Sequence, residues 1–166
     1  MAEREYLTHN FEPVFDAQSR VLILGTFPSV KSREQGFYYG HPQNRFWRVI
    51  AELTGESVPH SIEEKKALLL RRHIALWDVI AGCTITGSSD ASIRDAVPND
   101  VSRVLAAAPI RGIFANGARA HELYRRYLLP ITGREAVRLP STSPANAACS
   151  LERLCEAWRV ITDERL

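Results

Sequence analysis

Four short apolar segments, each followed by a cluster of small or polar residues, are the feature that most constrains the fold of this chain. They cover residues 21–24, 74–77, 110–115 and 136–139. The first two are uninterrupted apolar runs, which are typical of strands that are buried on both faces of a parallel sheet, and the last two each contain a single Arg. Stretches with helical periodicity separate them, and strands that alternate with helices pair in parallel through right-handed crossovers. The sequence therefore predicts an α/β fold, namely a three-layer α/β/α sandwich with a central four-stranded parallel sheet.

The predicted helices are bounded by known end signals. Ser61, with Glu64 three residues later, has the form of a capping box, and either Asn99 or Asp100 is expected to cap the next helix. We predict helices over residues 44–53, 61–72, 101–107, 118–128 and 146–162. We predict a loop over residues 83–90, because that stretch is rich in Thr, Gly and Ser.

The size and the cysteine content of the chain limit the kind of protein it can be. With 166 residues, of which 45% are hydrophobic, the chain can bury one substantial core, so we expect a single domain over residues 1–166. The three cysteines have no CxxC spacing and form an odd set, which argues against a zinc or iron–sulfur site and against a disulfide framework. We therefore expect reduced thiols, no metal and no other cofactor.

Charge and hydropathy narrow the choice of partners. Residues 1–10 carry charges of both signs, and no apolar run reaches the roughly 18 residues that a membrane span needs, so we expect no membrane association. The net charge is only +2, from 21 Lys and Arg against 19 Asp and Glu. Most of these cations are Arg, which favours planar, bidentate contacts with phosphates. Composition thus permits a nucleic-acid partner without requiring one.

The notable polar clusters each follow a predicted strand. They are residues 25–29, Asp78 with the loop after it, Asn116 with Gly117, and residues 140–143. The carboxyl ends of parallel strands meet at one edge of the sheet, which is where open α/β sheets bind ligands. The spacing of these clusters therefore predicts a single cleft.

A further cluster, residues 38–47, lies between the first strand and the next helix. Tyr39 offers a flat face for stacking, Asn44 offers both hydrogen-bond donors and acceptors, and Arg45 offers positive charge. A nucleobase requires partners of these kinds. Two structural alternatives stay open: Asn44 is also able to cap the helix that begins at Arg45, and Tyr38 and Tyr39 are also able to pack as ordinary loop residues.

Three segments together resemble the uracil-DNA glycosylase superfamily. They are Gly-Thr-Phe-Pro-Ser at residues 25–29, His-Pro-Gln-Asn-Arg-Phe-Trp at residues 41–47, and Leu-Pro-Ser-Thr-Ser-Pro-Ala-Asn at residues 139–146. The similarity is greatest to the hypoxanthine-DNA glycosylase branch and next to the mismatch-specific uracil/thymine branch. The resemblance implies that the protein flips a deaminated base out of DNA and hydrolyses its N-glycosidic bond, which leaves an abasic site.

The resemblance also sets the expected partner and surroundings. The substrate it implies is double-stranded DNA that contains a deaminated base, with hypoxanthine first and uracil and xanthine as alternatives. We accordingly expect a monomeric protein of the cytoplasm that associates with the nucleoid.

Two departures from the family pattern shift the expected chemistry. Phe27 stands where most branches have a catalytic Asp or Asn, and Leu139 stands where the single-strand-active uracil branch has a His. In the hypoxanthine branch an Asn of the second segment has the catalytic role, which points to Asn44. Because a neutral amide is a poor base, we expect Asn44 to position water or to contact the base. Asp78 is the second catalytic candidate, as a carboxylate that stabilises positive charge on the sugar.

The remaining site residues are carried over from the same match. Base contacts are expected from Gly25, Thr26, Phe27, Tyr39 and Asn116, and DNA contacts from Ser29, Arg45, Ser141, Thr142, Ser143 and Asn146. Structural alternatives again stay open, because Asp78 is able to bond only its own loop and Asn116 with Gly117 is able to form an ordinary turn. We expect His41 to have a structural role, since it has no His or Cys partner at metal-ligand spacing.

Two other functions remain open on the sequence alone. Loss of the first-segment carboxylate at Phe27 is compatible with a non-catalytic protein that binds DNA lesions or nucleotides through the same cleft. A hydrolase of free nucleosides or nucleotides would also use this cleft, but it would have no need of side chains that contact a duplex at residues 141–146.

Overall fold

A four-stranded parallel sheet forms the centre of the computed structural model, which describes residues 4–8 and 11–163. Its strands are β2 (Val21–Gly25), β3 (Ile74–Asp78), β6 (Gly112–Asn116) and β7 (Val137–Leu139), in the spatial order β3-β2-β6-β7. Every neighbouring pair is parallel, and β2 and β3 are buried along their whole length. The predicted three-layer α/β/α sandwich around a four-stranded parallel sheet is confirmed.

Helices connect these strands. They are α1 (Val30–Gln35), α2 (Phe46–Thr54), α3 (Ile62–Arg71), α4 (Ser102–Ala107), α5 (Ala118–Leu123), α6 (Leu129–Thr132) and α7 (Leu151–Trp158). Helices α2 and α7 pack together where the Phe46 ring meets the edge of Trp158 at a centroid distance of 5.8 Å. Within the described residues, no helix combines the length and the apolar character needed to cross a membrane.

A second, three-stranded antiparallel sheet was not predicted. It consists of β1 (Arg4–Thr8), β4 (Ile80–Thr86) and β5 (Arg94–Pro98), in the order β1-β4-β5. The predicted loop over residues 83–90 is therefore wrong up to Thr86. Along β4 the buried side chains of Ile80, Cys83 and Ile85 are interspersed with half-buried residues, which is the pattern of a one-sided strand, and Thr is a strand former. Only residues 87–90 form the expected turn.

Three predicted helices differ from the observed ones at their ends. The predicted helix over residues 118–128 consists of α5 followed by a wider turn with π-helical hydrogen bonding at Tyr124–Leu128. It continues into α6 beyond the predicted end. The last helix begins at Leu151 rather than at residue 146, because Ser150 caps it by accepting the Arg153 N–H at 3.2 Å. Helix α2 begins at Phe46, two residues later than predicted. Helix α1 was not predicted.

The capping predictions are confirmed for α3 and decided for α4. The Ser61 hydroxyl accepts the Glu64 N–H at 3.1 Å. At α4, Asp100 is the residue that caps, since its Oδ1 accepts the Ser102 N–H at 3.1 Å. Asn99 instead donates its side-chain amide to the Asp78 carbonyl oxygen at 2.9 Å, and it is buried. Asn99 therefore fixes the backbone where β3 ends.

Asn99→Ala should destabilise the fold, because it leaves the buried Asp78 carbonyl without its donor. We expect the free energy of unfolding to fall by about 1–2 kcal/mol in a urea titration. Asp100→Asn is the matched control and should leave stability unchanged, since Asn caps helices as well as Asp does. An Asn99→Ala variant as stable as the parent protein would contradict this role for the Asn99 amide.

Candidate active site

A cleft with a volume of about 330 Å³ opens at the carboxyl ends of the parallel strands. The predicted site residues that line it are Thr26, Phe27, Ser29, Tyr39, Asn44, Asp78, Asn116, Ser141, Thr142 and Ser143. Gly25, Arg45 and Asn146 are not among the residues that line the cleft. The sequence-based expectation that the strand-end clusters form one cleft therefore agrees with the geometry, whereas the roles of the single residues need separate examination.

Gly25 contributes space rather than a contact. A Cβ placed on Gly25 would lie 2.6 Å from the Tyr39 hydroxyl oxygen and closer still to Asp78 Oδ1. Real Cβ atoms do not approach other atoms that closely, so a side chain at this position would displace both groups. The glycine lets an aromatic side chain and a carboxylate converge at the end of β2.

Tyr39 is held rigidly in the cleft. Its φ of 53° lies in the left-handed region, which is strained for a residue with a bulky side chain. The ring stacks on Phe46 at a centroid distance of 4.1 Å and an interplanar angle of 19°. Burial, followed by the negative charge of Asp78, raises the pKa of the Tyr39 hydroxyl well above its usual value, so the group stays protonated.

The Tyr39 hydroxyl has an unusual environment. It is buried and, among the described residues, it has no partner at hydrogen-bond geometry, although the Asn116 side chain lies close to it. An unsatisfied buried hydroxyl is costly, and a water molecule or a ligand in the cleft would satisfy it. Tyr38, by contrast, is a core residue that is only 2% exposed and donates its hydroxyl to the Glu12 carbonyl oxygen at 2.8 Å.

The Asn44 side chain has a fixed orientation. Its Oδ1 accepts the Phe46 N–H at 2.9 Å and the Thr142 hydroxyl at 2.9 Å. A backbone N–H can only donate, so the atom that faces it must be the amide oxygen. The oxygen is thus occupied by two donors, whereas the Asn44 NH₂ group makes no hydrogen bond within the described part of the chain. Asn44 caps α2 and, at the same time, presents a free donor to the cleft.

Asn116 supports this arrangement from β6. Its Oδ1 accepts the Thr142 N–H at 3.1 Å, and its Nδ2 donates to the Thr142 hydroxyl at 3.0 Å. Thr142 is completely buried. Asn116, Thr142 and Asn44 thus form a continuous chain of hydrogen bonds that positions the Asn44 side chain, while the expected DNA contact of Thr142 and base contact of Asn116 stay predictions.

Arg45 makes its hydrogen bonds within the protein. Its guanidinium donates to the carbonyl oxygens of Ser143 at 3.1 Å, of Asn146 at 3.0 Å and of Cys149. These bonds fasten the loop of residues 141–149 to the start of α2. They leave other guanidinium N–H groups available, so the expected contact between Arg45 and DNA phosphate stays a prediction.

The loop of residues 141–149, which we call the Ser loop, is closed by its own side chains. The Ser141 hydroxyl oxygen accepts the Ser143 N–H at 3.1 Å, and the Ser143 hydroxyl oxygen accepts the Ala145 N–H at 3.1 Å. Both hydroxyl hydrogens keep their capacity to donate to a ligand. The Asn146 side chain donates to the Ser141 carbonyl oxygen at 3.0 Å, so its expected insertion into DNA would require breaking that bond.

The loop after β2 is likewise fixed from within. Ser29 caps α1 by accepting the Ser32 N–H at 3.1 Å, and its own hydroxyl donates to Ser32 Oγ at 3.1 Å. Its hydroxyl is therefore already committed, and direct phosphate binding by Ser29 is not favoured. Phe27 is only 7% exposed and contributes an apolar wall without any polar atom that could orient water.

Two carboxyl groups face the cleft, and one of them was not expected. Asp78 is only 3% exposed at the end of β3. Asp90, which follows the turn after β4, lines the same cleft. The pKa of the Asp90 carboxyl group is raised to about 6, chiefly by burial and also by the negative charge of Asp78. A hydrogen bond from Thr26 and the positive charge of Arg119 lower this pKa, but they do not cancel the rise.

Sequence reasoning had little means of finding Asp90. An Asp at the end of a Gly-Ser-Ser turn is ordinary turn chemistry, and the strand before it was taken for a loop. The one usable signal is that this segment directly follows β3. The His, Cys, Asp and Glu side chains among the described residues form no group of three that could hold a metal ion.

Comparisons with known proteins agree with this geometry. The model of the uracil DNA glycosylase superfamily matches residues 12–162. Hypoxanthine DNA glycosylase of Methanosarcina acetivorans is 37% identical over 157 residues, which cover 93% of this chain and 98% of that protein. Hypoxanthine DNA glycosylase of Methanosarcina barkeri is 34% identical over 150 residues, which cover 89% and 93% respectively.

A solved structure is similar as well. The solution NMR structure of a candidate uracil DNA glycosylase from Methanosarcina acetivorans has a TM-score of 0.76 at 35% identity. The match covers 92% of this chain and 97% of that chain.

Arg45→Lys should loosen the Ser loop, because an ammonium group cannot reproduce the fork of the guanidinium. We expect amide hydrogens of residues 146 and 149 to exchange faster, and the free energy of unfolding to fall by about 2 kcal/mol. Arg48→Lys, at an exposed position of the same helix, is the matched control. Unchanged exchange in the Arg45→Lys protein would show that the Ser loop does not depend on this fork.

Proposed function

The chain belongs to the uracil DNA glycosylase superfamily, and from that membership we propose that it is a DNA repair glycosylase that removes hypoxanthine. The observation that carries the proposal is the fixed Asn44 amide, whose free NH₂ group faces the cleft beside Tyr39 and Asp78. Both relatives reported above are called hypoxanthine DNA glycosylase, and these names support hypoxanthine as the first candidate among deaminated bases. Uracil and xanthine are the secondary candidates.

In this proposal the target base leaves the duplex and enters the cleft. Its volume of about 330 Å³ is within the range of pockets that enclose small molecules. The Tyr39 ring, held from behind by Phe46, stacks on the base. Stacking and edge hydrogen bonds then offset the few kcal/mol that flipping costs, a cost that is smaller for a mispaired base.

Asn44 acts on the departing base. Negative charge builds on the base as its bond to deoxyribose breaks, and a donor that is already oriented stabilises that charge without reorganisation. The Asn44 oxygen is occupied by Phe46 N–H and Thr142, so it has no free role as a water-activating acceptor. This narrows the two roles considered for Asn44 to one, the donation of a hydrogen bond to the base.

Asp78 acts on the sugar. The transition state of glycosidic hydrolysis resembles an oxocarbenium ion, with positive charge on the sugar ring. A carboxylate that is almost fully buried interacts with such a charge more strongly than one in water. Asp78 is therefore the electrostatic partner of the sugar, while Asn44 is the partner of the base.

The Ser loop binds the DNA backbone. The Ser141 and Ser143 hydroxyl hydrogens are available to phosphate oxygens, and Arg45 keeps the loop in one conformation before binding. Neutral donors of this kind suit a protein whose net charge is only +2. The substrate we propose is double-stranded DNA that contains a deaminated base.

A panel of substrates tests the reaction itself. Duplex oligonucleotides with a single hypoxanthine, uracil or xanthine are incubated with the protein, and abasic sites are then cleaved with alkali. We expect strand breaks at hypoxanthine, and no release of hypoxanthine from free deoxyinosine. Binding without any strand break would support the non-catalytic alternative, whereas hydrolysis of free deoxyinosine at the duplex rate would favour the nucleoside hydrolase.

The Asn44→Asp variant removes the hydrogen-bond donor of Asn44 and keeps the oxygen that caps α2. An Asp oxygen still accepts from Phe46 N–H and Thr142, so stability should be retained, but the donor is lost and a negative charge faces the base. We expect the single-turnover rate on hypoxanthine to fall by about 10²–10³-fold. Gln43→Glu, which makes the same charge change at the exposed neighbouring position, should retain activity. Full activity of Asn44→Asp would mean that Asn44 is only a cap.

A further inference from the structure

We propose that Asp90 is the general acid of this reaction and gives its carboxyl proton to a ring nitrogen of the departing base. The inference rests on the proposed function, because it assigns a second catalytic group to the same cleft. Asp90 lies in the connection between β4 and β5 of the antiparallel sheet, and it lines the same cleft as Asn44 and Asp78. Asn44 donates a hydrogen bond but cannot release a proton at neutral pH, which leaves proton transfer without an assigned group.

The backbone around Asp90 is anchored from two helices. The Val30 N–H at the start of α1 donates to Ser88 Oγ at 2.9 Å, and the Arg33 guanidinium donates to the Gly87 carbonyl oxygen at 3.2 Å. The Arg119 Nε of α5 donates to the carbonyl oxygen of Asp90 itself at 3.2 Å. These contacts hold the turn over the loop that follows β2, so the position of Asp90 in the cleft is fixed by packing.

Burial is the main reason that the Asp90 carboxyl group holds its proton, and the groups around it act in both directions. The negative charge of Asp78 favours the protonated form, whereas the hydrogen bond from Thr26, itself only 6% exposed, favours the carboxylate. Arg119 contributes positive charge, but its guanidinium is already engaged with the Asp90 carbonyl and with Glu122 at 3.1 Å. The Tyr39 hydroxyl and the Cys83 thiol, whose pKa values are both raised, remain neutral neighbours.

Among the groups that line the cleft, Asp90 is suited to proton transfer near neutral pH. Its raised pKa of about 6 keeps a usable fraction protonated there, and its side chain is only partly exposed to solvent. Tyr38 and Tyr39 hold their protons too tightly, because their pKa values are raised by burial and by Asp78. Two carboxyl groups with different tasks in one cleft are a known arrangement for acid catalysis of glycosidic cleavage.

The proposed step balances as follows. The bond between C1′ and the ring nitrogen of the base breaks, and its electron pair goes to the base. The Asp90 proton moves to an unprotonated ring nitrogen of that base, which leaves as a neutral molecule. Water adds to C1′, and the proton it loses returns to the Asp90 carboxylate. One water molecule is consumed, and Asp90 is regenerated.

The pH dependence of single-turnover hypoxanthine release tests the step, with the full chain and a duplex substrate between pH 5 and 9. The active form has Asp90 protonated, so the parent rate should fall about tenfold per pH unit above the pKa of that group. Asp90→Asn keeps an acceptor for Thr26 but cannot give up a proton. We expect it to be about 100-fold slower at pH 6 and to lose the alkaline decline.

Asp95→Asn is the matched control. Asp95 is an exposed carboxyl group on β5 of the same sheet, and its φ of 53° is one that Asn adopts readily. This variant should keep the parent rate and pH profile. If the Asp90→Asn protein had the parent rate and pH profile, the role of Asp90 would be overturned, but the proposed function would not. A parent protein that releases no base would overturn the proposed function and this inference together.

Thermal unfolding of the same variants gives a readout that does not depend on activity. The folded-state pKa of Asp90 is raised above its unfolded value, so the folded protein binds this proton more tightly. The resulting stabilisation is present below about pH 4 and is lost as the pH rises through about 6. Asp90→Asn should therefore raise Tm at pH 8 and leave it unchanged at pH 4. If the Asp90→Asn variant and the parent protein had the same Tm at pH 8 as well as at pH 4, the raised pKa of Asp90 would be contradicted.

Discussion

The site depends on one backbone N–H group, that of Phe46 at the start of α2. This donor fixes which atom of the Asn44 amide points toward the helix, and so fixes which atom points toward the cleft. The same oxygen accepts the Thr142 hydroxyl, whose own oxygen accepts from Asn116. These hydrogen bonds join three segments that are distant in sequence, namely the start of α2, the end of β6 and the Ser loop, and in each bond the donor and the acceptor are fixed. Any change that reversed the Asn44 amide would leave two donors facing an NH₂ group.

The cationic side chains around the cleft are used to build it. Arg33, Arg45 and Arg119 each donate to backbone carbonyl oxygens of loops that border the cleft. The planar fork that makes Arg suitable for phosphates makes it equally suitable for gathering carbonyl groups. The interior is left with the Asp78 carboxylate and the Asp90 carboxyl group, which is protonated in the proposed active form. The negative charge of Asp78 suits a developing positive charge on the sugar and repels phosphates. In the proposed function the base therefore enters the cleft, while the DNA backbone stays at its rim with the Ser loop.

The parallel sheet and its cleft could be predicted from the sequence, because both follow from short-range patterns. Strands buried on both faces give continuous apolar runs, and their carboxyl ends must meet at one edge. The antiparallel sheet could not be recognised in this way. Its strand β4 mixes buried residues with Thr and Gly, and its register with β5 shifts twice, so no regular alternation is visible along the chain. Missing that strand meant missing Asp90.

Residue types at the site could be predicted better than their roles. Thr142 lines the cleft and Arg45 anchors a loop that borders it, but whether a polar side chain faces a ligand or its own backbone depends on rotamers and on long-range partners. The Arg45 acceptors lie about 100 positions away in sequence, in a loop without regular structure. In the role proposed for Asn44, the structural and the functional interpretation do not compete. Because its oxygen caps the helix, its nitrogen is held at the cleft, so the cap is what makes the donor rigid.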